Sequence, residues 1–91
     1  MKISSIKKDK IFEQIISFLY STNPKPFFTS HIAQEIARDE EFTKRLLIEL
    51  KEKNLLKEIK KNPKGINYIK RSRWKLSDSA YNIYKNHQNF S

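Results

Sequence analysis

The sequence of 91 residues has no cysteine, one glycine and three prolines, and these low counts exclude several kinds of functional site. Without cysteine there is no disulfide framework, no thiol catalysis and no cysteine-ligated zinc or iron–sulfur site. Two histidines, His31 and His87, are too few for a convincing metal site. The sequence also lacks a glycine-rich phosphate loop and any pair of carboxylates that stands out from ordinary surface charge. We therefore expect no cofactor and no enzymatic activity.

Long apolar runs are missing as well. No segment approaches the roughly 20 apolar residues that a transmembrane helix requires. The first eight residues are basic but lack the apolar stretch and cleavage site of a signal peptide. We therefore expect a cytoplasmic protein that is not in the membrane. Its length fits one domain, predicted over residues 9–87, with an N-terminal extension at 1–8 and a tail at 88–91.

Positive charge is what the sequence has in excess. Nineteen lysines and arginines are opposed by ten acidic residues, which gives a net charge of +9. Most of this excess lies between residues 57 and 75, where eight basic residues are opposed only by Glu58. So concentrated a charge exceeds what solubility requires. It attracts polyanions, either nucleic acid or an anionic membrane surface.

The periodicity of apolar residues changes once, at Asn54. Before Asn54, helical spacing predicts three helices, over residues 9–21, about 29–37 and about 40–53. After it, alternation predicts a strand from Leu55 to Lys61 and a returning strand that ends at Leu76. A last helix is predicted from Ser77 onward. The predicted class is mainly α with a small β-hairpin (α+β): three helices, a two-stranded hairpin and a C-terminal helix.

Short polar residues mark the predicted helix boundaries. Thr29 or Ser30 is expected to cap the second helix, and Asp39 the third, because their side-chain oxygens accept hydrogen bonds from free backbone amides. Asn54 tolerates the left-handed conformation better than most residues, so it suits the end of the third helix.

The length of the hairpin connection and the role of Tyr68 are left open by the sequence. The connection is either a tight turn at residues 62–65 or a longer tip that reaches residue 72. Trp74 is expected to pack in the core rather than to stack on a nucleic-acid base. For Tyr68, near the basic tip, the two roles are about equally supported.

Three phrases, in this order and spacing, resemble those of winged helix-turn-helix domains. Residues 28–37 (FTSHIAQEIA) resemble the second-helix pattern F-T-x-x-x-(I/L)-A, with two residues instead of three between Thr29 and Ile32. Residues 44–56 (KRLLIELKEKNLL) are similar to R-x-L-x-x-L-x-x-x-G-L-(I/V). Residues 74–80 (WKLSDSA) look like the L-(S/T)-x-x-(G/A) step from the wing into the last helix. The resemblance covers residues 9–87 and points to small archaeal or bacterial regulators of the MarR or PadR kind. Asn54 and Ala80 stand where many relatives have glycine.

This resemblance implies a transcriptional regulator that binds double-stranded DNA sequence-specifically. The third helix would enter the major groove, and the basic wing would lie on the backbone or in the minor groove. A helical wheel turns Leu47 and Leu50 inward and Lys44 and Arg45 outward, with Lys51 at the margin. The predicted DNA-contacting residues are Thr29, Ser30, His31, Lys44, Arg45, Lys51, Lys60, Lys61, Lys64, Lys70, Arg71 and Arg73. The competing interpretation of Lys44 and Arg45 is an ordinary solvated helix face.

One feature opposes deep insertion into DNA. Asp39, Glu40 and Glu41 crowd the start of the third helix, where they favour the helix but repel phosphates. With an outward-facing Ile48, they suit the alternative function, a winged-helix module for protein–protein contacts in a transcription or replication assembly. Charge alone also leaves RNA and an anionic membrane as possible partners.

The outer helices predict a homodimer. The apolar residues of the first helix span roughly 160–200°, wider than the stripe of about 100° that packs a surface helix onto its own core. In the last helix, Tyr81 is expected to point away from an inner side formed by Ala80, Ile83, Tyr84 and His87. The predicted interface residues are Phe12, Ile16, Tyr20, Tyr81 and Phe90. Alternatively, Ile3 and Ile6 fold back and cover the first helix.

Overall fold

The computed structural model of the chain describes residues 5–60, 64 and 71–88. Its elements are, in order, α1 (Ser5–Thr22), β1 (Phe27–Phe28), α2 (Thr29–Glu35), α3 (Glu40–Glu52), β2 (Leu56–Ile59), β3 (Arg73–Leu76) and α4 (Asp78–Gln88). The predicted α+β class and the predicted order of helices and hairpin strands are confirmed.

The sheet has three strands, one more than predicted. It is antiparallel with the order β1-β3-β2, and Phe27 lies opposite Trp74 while Leu56 lies opposite Leu76. A two-residue strand is too short for any alternation to reveal it, so β1 becomes visible only through its pairing with β3. The predicted strand residues 66–70 lie outside the described residues, and of the connection between β2 and β3 only residues 60, 64, 71 and 72 are described.

The core lies between the helices and the inner face of this sheet. Trp74 is completely buried, which confirms its predicted place in the core. It belongs to one cluster with side chains of α1 and α3, among them Ile15 and Leu47, which are also completely buried. Burying such a side chain stabilises the fold by about 1.5–3 kcal/mol, so these contacts hold α1 and α3 against the sheet.

Both ends of α3 are as predicted. The Asp39 carboxylate accepts a hydrogen bond of 3.1 Å from the backbone amide three residues on. Asn54 has φ 63°. The Leu55 amide donates to the Leu50 carbonyl at 3.0 Å, and the Asn54 amide donates to the Lys51 carbonyl at 2.9 Å. These two bonds form a Schellman motif, which satisfies carbonyls that the helix leaves free.

Both ends of α2 differ from the prediction. The N-cap residue is Phe28, so the expected caps Thr29 and Ser30 are instead the first two helical residues. At the other end Ala37 has φ 55°, and the amide of the following residue donates to the Ala33 carbonyl at 3.0 Å. This helix therefore has the same left-handed ending as α3, with alanine in a conformation that residues other than glycine rarely adopt.

The outer helices also differ from their predictions. α1 begins at Ser5, four residues earlier than expected, and Lys8 in the added turn donates to Glu49 of α3 at 2.7 Å. In α4 the predicted inner side was right for Ala80, which is buried, and wrong for Ile83, which is 61% exposed. Tyr81, which was expected to point away, is half-buried and packs against the core. The reason is tertiary, because α4 turns toward α1 the side that carries Tyr81.

Candidate nucleic-acid interface

One open cleft brings together residues from three elements. It has a volume of about 360 Å³ and lies between the start of α2, the first turns of α3 and the segment that leads into β3. We call it the α2–α3 cleft. Its lining residues are Phe28, Thr29, Ser30, Glu40, Glu41, Lys44, Arg71 and Ser72. Four of the twelve predicted DNA contacts, Thr29, Ser30, Lys44 and Arg71, are among them.

The hydroxyl of Thr29 is held by the core. The indole Nε1 of Trp74 donates a hydrogen bond of 2.8 Å to Thr29 Oγ1, across 45 positions of sequence. A hydroxyl has one donor and two acceptor positions, so a bond that uses an acceptor position leaves the donor function intact. The hydroxyl that was expected to cap α2 therefore ties α2 to β3 at the edge of the cleft.

Arg71 is held at the cleft by an aromatic ring. Its guanidinium carbon lies 5.5 Å from the centre of the Phe28 ring. A cation over an aromatic face is stabilised by about 0.5–1 kcal/mol at an exposed site. Since Phe28 immediately precedes α2, this contact brings the positive charge of the hairpin close to the first turn of that helix.

The outward side of α3 agrees with the predicted helical wheel. Lys44 and Arg45 are exposed, while Leu47 and Leu50 are buried in the core. Ile48 is 38% exposed on the outward side. The two basic residues are therefore available to a partner that approaches α3 from solvent.

Acidic side chains share the same cleft. Glu40 and Glu41 line it beside Lys44. Both belong to the first turn of α3, where negative charge is favourable because of the partial positive charge of the helix N-terminus. The cleft is thus of mixed charge, and its positive contribution comes from Lys44 and Arg71.

Lys51 is engaged within the chain. Its Nζ donates to Glu58 Oε1 at 2.7 Å, and the other carboxylate oxygen accepts from Ser72 Oγ at 2.5 Å. Partial burial by itself would raise the pKa of Glu58. The hydrogen bonds from Lys51 and Ser72 and the charges of Lys51 and Lys60 outweigh this effect, and the pKa lies below its usual value. Glu58 is therefore held in the charged form.

His31 lies to one side of these groups. Its ring centre is 4.7 Å from that of Phe27 and 6.1 Å from that of Phe18, and its Nε2 is 3.8 Å from a carboxylate oxygen of Glu35. It is not among the residues that line the α2–α3 cleft. Among the predicted contacts near α2, Thr29 and Ser30 are therefore better oriented toward the cleft than His31.

The hairpin carries basic residues on its outer face. Lys60 and Lys64 are exposed, and Arg73 is half-buried in β3; the predicted contacts Lys61 and Lys70 lie outside the described residues. Strand register adds a feature that was not predicted, because Lys57 lies directly opposite Lys75. Like charges directly opposite each other repel. Only the pairing of the strands reveals this, since the two lysines are eighteen positions apart.

The predicted dimer residues are largely covered by their own chain. Phe12 is 7% exposed, and the ammonium groups of Lys8 and Lys53 lie 5.7 Å and 5.1 Å from its ring centre. Ile16 is half-buried, and Ile6 is 71% exposed and so does not cover α1. Phe12 accordingly has little surface left for a partner.

An aromatic cluster joins the C-terminal half of α1 to α4. The ring of Tyr20 lies 5.2 Å from that of Tyr81 and 4.6 Å from that of Tyr84. Tyr81 and Tyr84 are three residues apart and thus share one helix side, contrary to the expectation that they diverge. Phe90 and Ile3 lie outside the described residues.

Two further properties of the described residues concern membranes and metals. Within residues 5–60, 64 and 71–88, no helix combines the length and the apolar character needed to cross a bilayer. In that same part of the chain, no three histidine or acidic side chains are grouped so as to hold a metal ion.

Comparison with known proteins identifies similar structures only. No protein-family model and no curated protein sequence matches the chain. A mutant MepR from a multidrug-resistant S. aureus isolate matches with a TM-score of 0.63 and 19% identity, over 88% of this chain and 62% of MepR. A double mutant of Lactococcus lactis ZitR in its apo form matches with a TM-score of 0.64 and 16% identity, over 90% of this chain and 59% of ZitR. Another S. aureus MepR mutant, bound to an oligodeoxyribonucleotide, matches with a TM-score of 0.60 and 18% identity, over 93% of this chain and 70% of that protein.

The extent of these matches determines what they establish. The chain spans 62% and 59% of the length of the first two proteins. At identities of 16–19% the likeness concerns the fold, and it agrees with the four helices and the small antiparallel sheet described above. The chain therefore has a winged helix-turn-helix fold that resembles the fold of MarR-like regulators.

Proposed function

We propose that this protein binds double-stranded DNA in a sequence-specific manner and acts as a transcriptional regulator. The observation that carries the proposal is the α2–α3 cleft, in which Thr29, Ser30, Lys44 and Arg71 from three elements line one concave surface. Hydroxyl, ammonium and guanidinium groups are the donors that proteins use on phosphates and base edges. The MepR mutant bound to an oligodeoxyribonucleotide adds support, because it has a similar fold.

In the proposed complex, α3 lies in the major groove. A helix of 13 residues is about 20 Å long, and the major groove is wide enough to admit a helix. Arg45 is the proposed base contact, because a guanidinium can bond to both acceptors of a guanine. Lys44, at the mouth of the cleft, would contact a phosphate or a base.

The hairpin supplies the sequence-independent part of the affinity. Lys57 and Lys75 face each other on its outer side, and their repulsion in the free protein would be relieved beside a phosphate backbone. Lys60 and Lys64, which follow β2 in the chain, and Arg71, at the α2–α3 cleft, add further positive charge. Since Glu40 and Glu41 repel phosphates at the start of α3, we assign the larger share of electrostatic attraction to the hairpin.

The experiment that tests the proposal compares ligands. Affinity is measured by fluorescence anisotropy for a DNA duplex, the corresponding single strand, a duplex RNA and anionic vesicles, over a series of salt concentrations. A site selected from a random duplex library then serves as the preferred DNA. We expect the tightest binding to duplex DNA and a linear fall of log affinity with log salt.

Two sets of variants separate the roles of α3 and the hairpin. Arg45→Ala should weaken binding to the preferred site by about 1–3 kcal/mol and affect scrambled duplex less. Lys85→Ala removes one exposed positive charge from α4 and is the matched control. Neutralising hairpin residues should weaken all duplexes alike, with a salt slope lower by about 0.9 for each phosphate that the variant no longer neutralises. The hairpin set is Lys60, Lys61, Lys64, Lys70, Arg71 and Arg73.

Two results would contradict the proposal. One is binding to duplex DNA no tighter than to the single strand or to vesicles. The other is an unchanged sequence preference in Arg45→Ala and Lys44→Ala together. The first result would indicate a general attraction to polyanions. The second would favour the alternative, a protein–protein interaction module, for which Ile48 offers a 38% exposed apolar side chain on the outward side of α3.

We further propose that the protein binds DNA as a homodimer joined through α1 and α4. Support comes from Ile83, which is 61% exposed on α4 next to the half-buried Tyr84. A two-fold dimer would present two α3 helices to half-sites about one DNA turn apart. Sedimentation equilibrium at micromolar concentration should give a dimer mass, and Ile83→Lys should reduce it. A monomer mass with one protein per duplex would contradict this part of the proposal.

A further inference from the structure

A single acidic side chain lies inside the basic hairpin and bonds to two other parts of the chain. Glu58 Oε1 accepts from Lys51 Nζ of α3 at 2.7 Å, and Oε2 accepts from Ser72 Oγ, just before β3, at 2.5 Å. The Glu58 side chain is 13% exposed. We call this arrangement the Lys51–Glu58–Ser72 bridge. Each carboxylate oxygen thus has its own donor, and the two donors come from the helix and from the opposite side of the hairpin.

Attraction to DNA does not explain this carboxylate. Glu58 is the one acidic residue among eight basic residues between positions 57 and 75, so its charge lowers the attraction of the hairpin for a polyanion. It also occupies Lys51, which would otherwise add to that attraction. Largely buried charges are costly unless they are paired and hydrogen-bonded, and here both oxygens are bonded. A carboxylate that weakens nonspecific binding, and whose two oxygens both accept hydrogen bonds within the chain, is suited to fixing the orientation of the elements that it joins.

From this we infer that Glu58 is a positioning residue, which holds the hairpin at a defined angle to α3 and thereby raises the sequence specificity of DNA binding. The inference rests on the proposed function. Backbone contacts fix the register of a protein on DNA, and base contacts read the sequence. When the two kinds of contact come from different elements, a flexible connection between those elements lets the hairpin bind phosphates while α3 is out of register with the bases. A rigid connection couples the hairpin to α3, and charge-assisted hydrogen bonds are the stronger kind of hydrogen bond for that purpose.

The first test compares two variants that remove the same charge. Glu58→Ala removes the bridge, and Glu52→Ala removes an exposed carboxylate of α3 that lies close by in sequence. Affinity is measured for the selected duplex and for a scrambled duplex of the same length and composition. Both variants should bind the scrambled duplex more tightly, because each loses one negative charge. Only Glu58→Ala should reduce the ratio of the two affinities, by about three- to tenfold, the scale expected for the net contribution of one ordinary protein hydrogen bond.

The second test breaks the bridge without changing the charge. Ser72→Ala removes the donor to Oε2, and we expect a smaller fall of the same ratio, about two- to threefold, with a larger loss of affinity for the selected duplex than for the scrambled one. The double variant Glu58→Ala/Ser72→Ala should have the ratio of Glu58→Ala alone, because both changes act on one bridge. Equal falls for both duplexes in Ser72→Ala would make Ser72 a direct phosphate contact and overturn the positioning role.

A measurement without DNA separates this inference from the proposed function. In the free protein, Glu58→Ala should speed amide hydrogen exchange at Ser72 and Arg73 and leave α1 unchanged, whereas Glu52→Ala should change neither. If the wild type prefers no duplex, the proposed function fails while the exchange result still reports on the bridge. If the wild type does prefer a site and the two glutamate variants keep the same affinity ratio, the positioning role is wrong. Should Glu58→Ala fail to fold, Ser72→Ala alone decides by the same ratio.

Discussion

A hydrogen bond between the core and the α2–α3 cleft offers a quantitative test of the fold. Trp74 is completely buried, and its indole donates to Thr29 Oγ1 at 2.8 Å. Trp74→Phe keeps an aromatic ring but removes the donor, which costs about 0.5–1.5 kcal/mol. The smaller ring also leaves a gap that costs about 1 kcal/mol more. We therefore expect a loss of about 2 kcal/mol in the free energy of unfolding.

Chemical denaturation by urea, followed by far-ultraviolet circular dichroism, measures this loss. Since such small domains are stable by only about 5–15 kcal/mol, the variant should still fold. A loss of about 2 kcal/mol corresponds to a fall in Tm of roughly 8–16 °C for a domain of this length. Thr29→Val keeps the side-chain shape but leaves the buried indole N–H without its acceptor, which costs about 1–3 kcal/mol. Thr29→Ser keeps the oxygen and is the control.

The double variant Thr29→Val/Trp74→Phe isolates the bond between the two side chains. Its loss should be smaller than the sum of the single losses by about 1 kcal/mol, because one bond cannot be removed twice. Additive single effects, to within about 0.5 kcal/mol, would refute the reasoning. The hydrogen bond would then contribute nothing to stability, and the cost of Trp74→Phe would come from packing alone.

Three further predictions concern single positions. Asp39→Ala should lower the free energy of unfolding by about 1 kcal/mol through loss of the α3 cap, whereas Asp39→Asn should restore most of it. Ala37→Gly should raise the free energy of unfolding by about 0.5–1 kcal/mol, because glycine adopts φ 55° without the steric cost that alanine bears. A destabilised variant would contradict this. The pKa of Glu58 is lower in the folded chain than its usual value near 4.5. The contribution of ionised Glu58 to the free energy of unfolding is thus complete above that value and is lost as pH falls through the lower pKa of the folded chain. Denaturation measured from pH 3 to 7 should therefore show a smaller loss of stability at acid pH in Glu58→Gln than in the wild type. Equal losses in the two proteins would count against the bridge.

Local patterns in the sequence were sufficient for the helices and the hairpin strands. The helical wheel of α3 turned the correct residues inward because a repeat near 3.6 leaves little choice once several leucines share a face. Asp39 and Asn54 were recognised as boundaries because their side chains favour those conformations intrinsically. The concentration of basic residues after Asn54 was likewise visible along the chain.

Contacts between distant residues decided what these patterns missed. Alanine is the best helix former, so nothing local predicts that Ala37 is left-handed. Thr29 has the character of a cap, yet its oxygen accepts from a tryptophan 45 positions away. Tyr20 was assigned to a dimer surface from the wide apolar arc of α1, and Tyr81 because it was expected on the outer side of α4. In the structure the two rings contact each other, so α4 of the same chain covers part of that arc.

Composition, periodicity and charge order by themselves determined which segments become the four helices and the two hairpin strands, where α3 begins and ends, and where positive charge accumulates, because each depends on neighbours in the chain. The tertiary structure decided how those segments meet. Strand register set Lys57 opposite Lys75, the approach of the hairpin to α3 joined Lys51, Glu58 and Ser72, and the pairing of β1 with β3 brought Phe28 to Arg71. Such pairs form only when chain segments that are far apart in sequence pack together, and a one-residue shift in register would remove them.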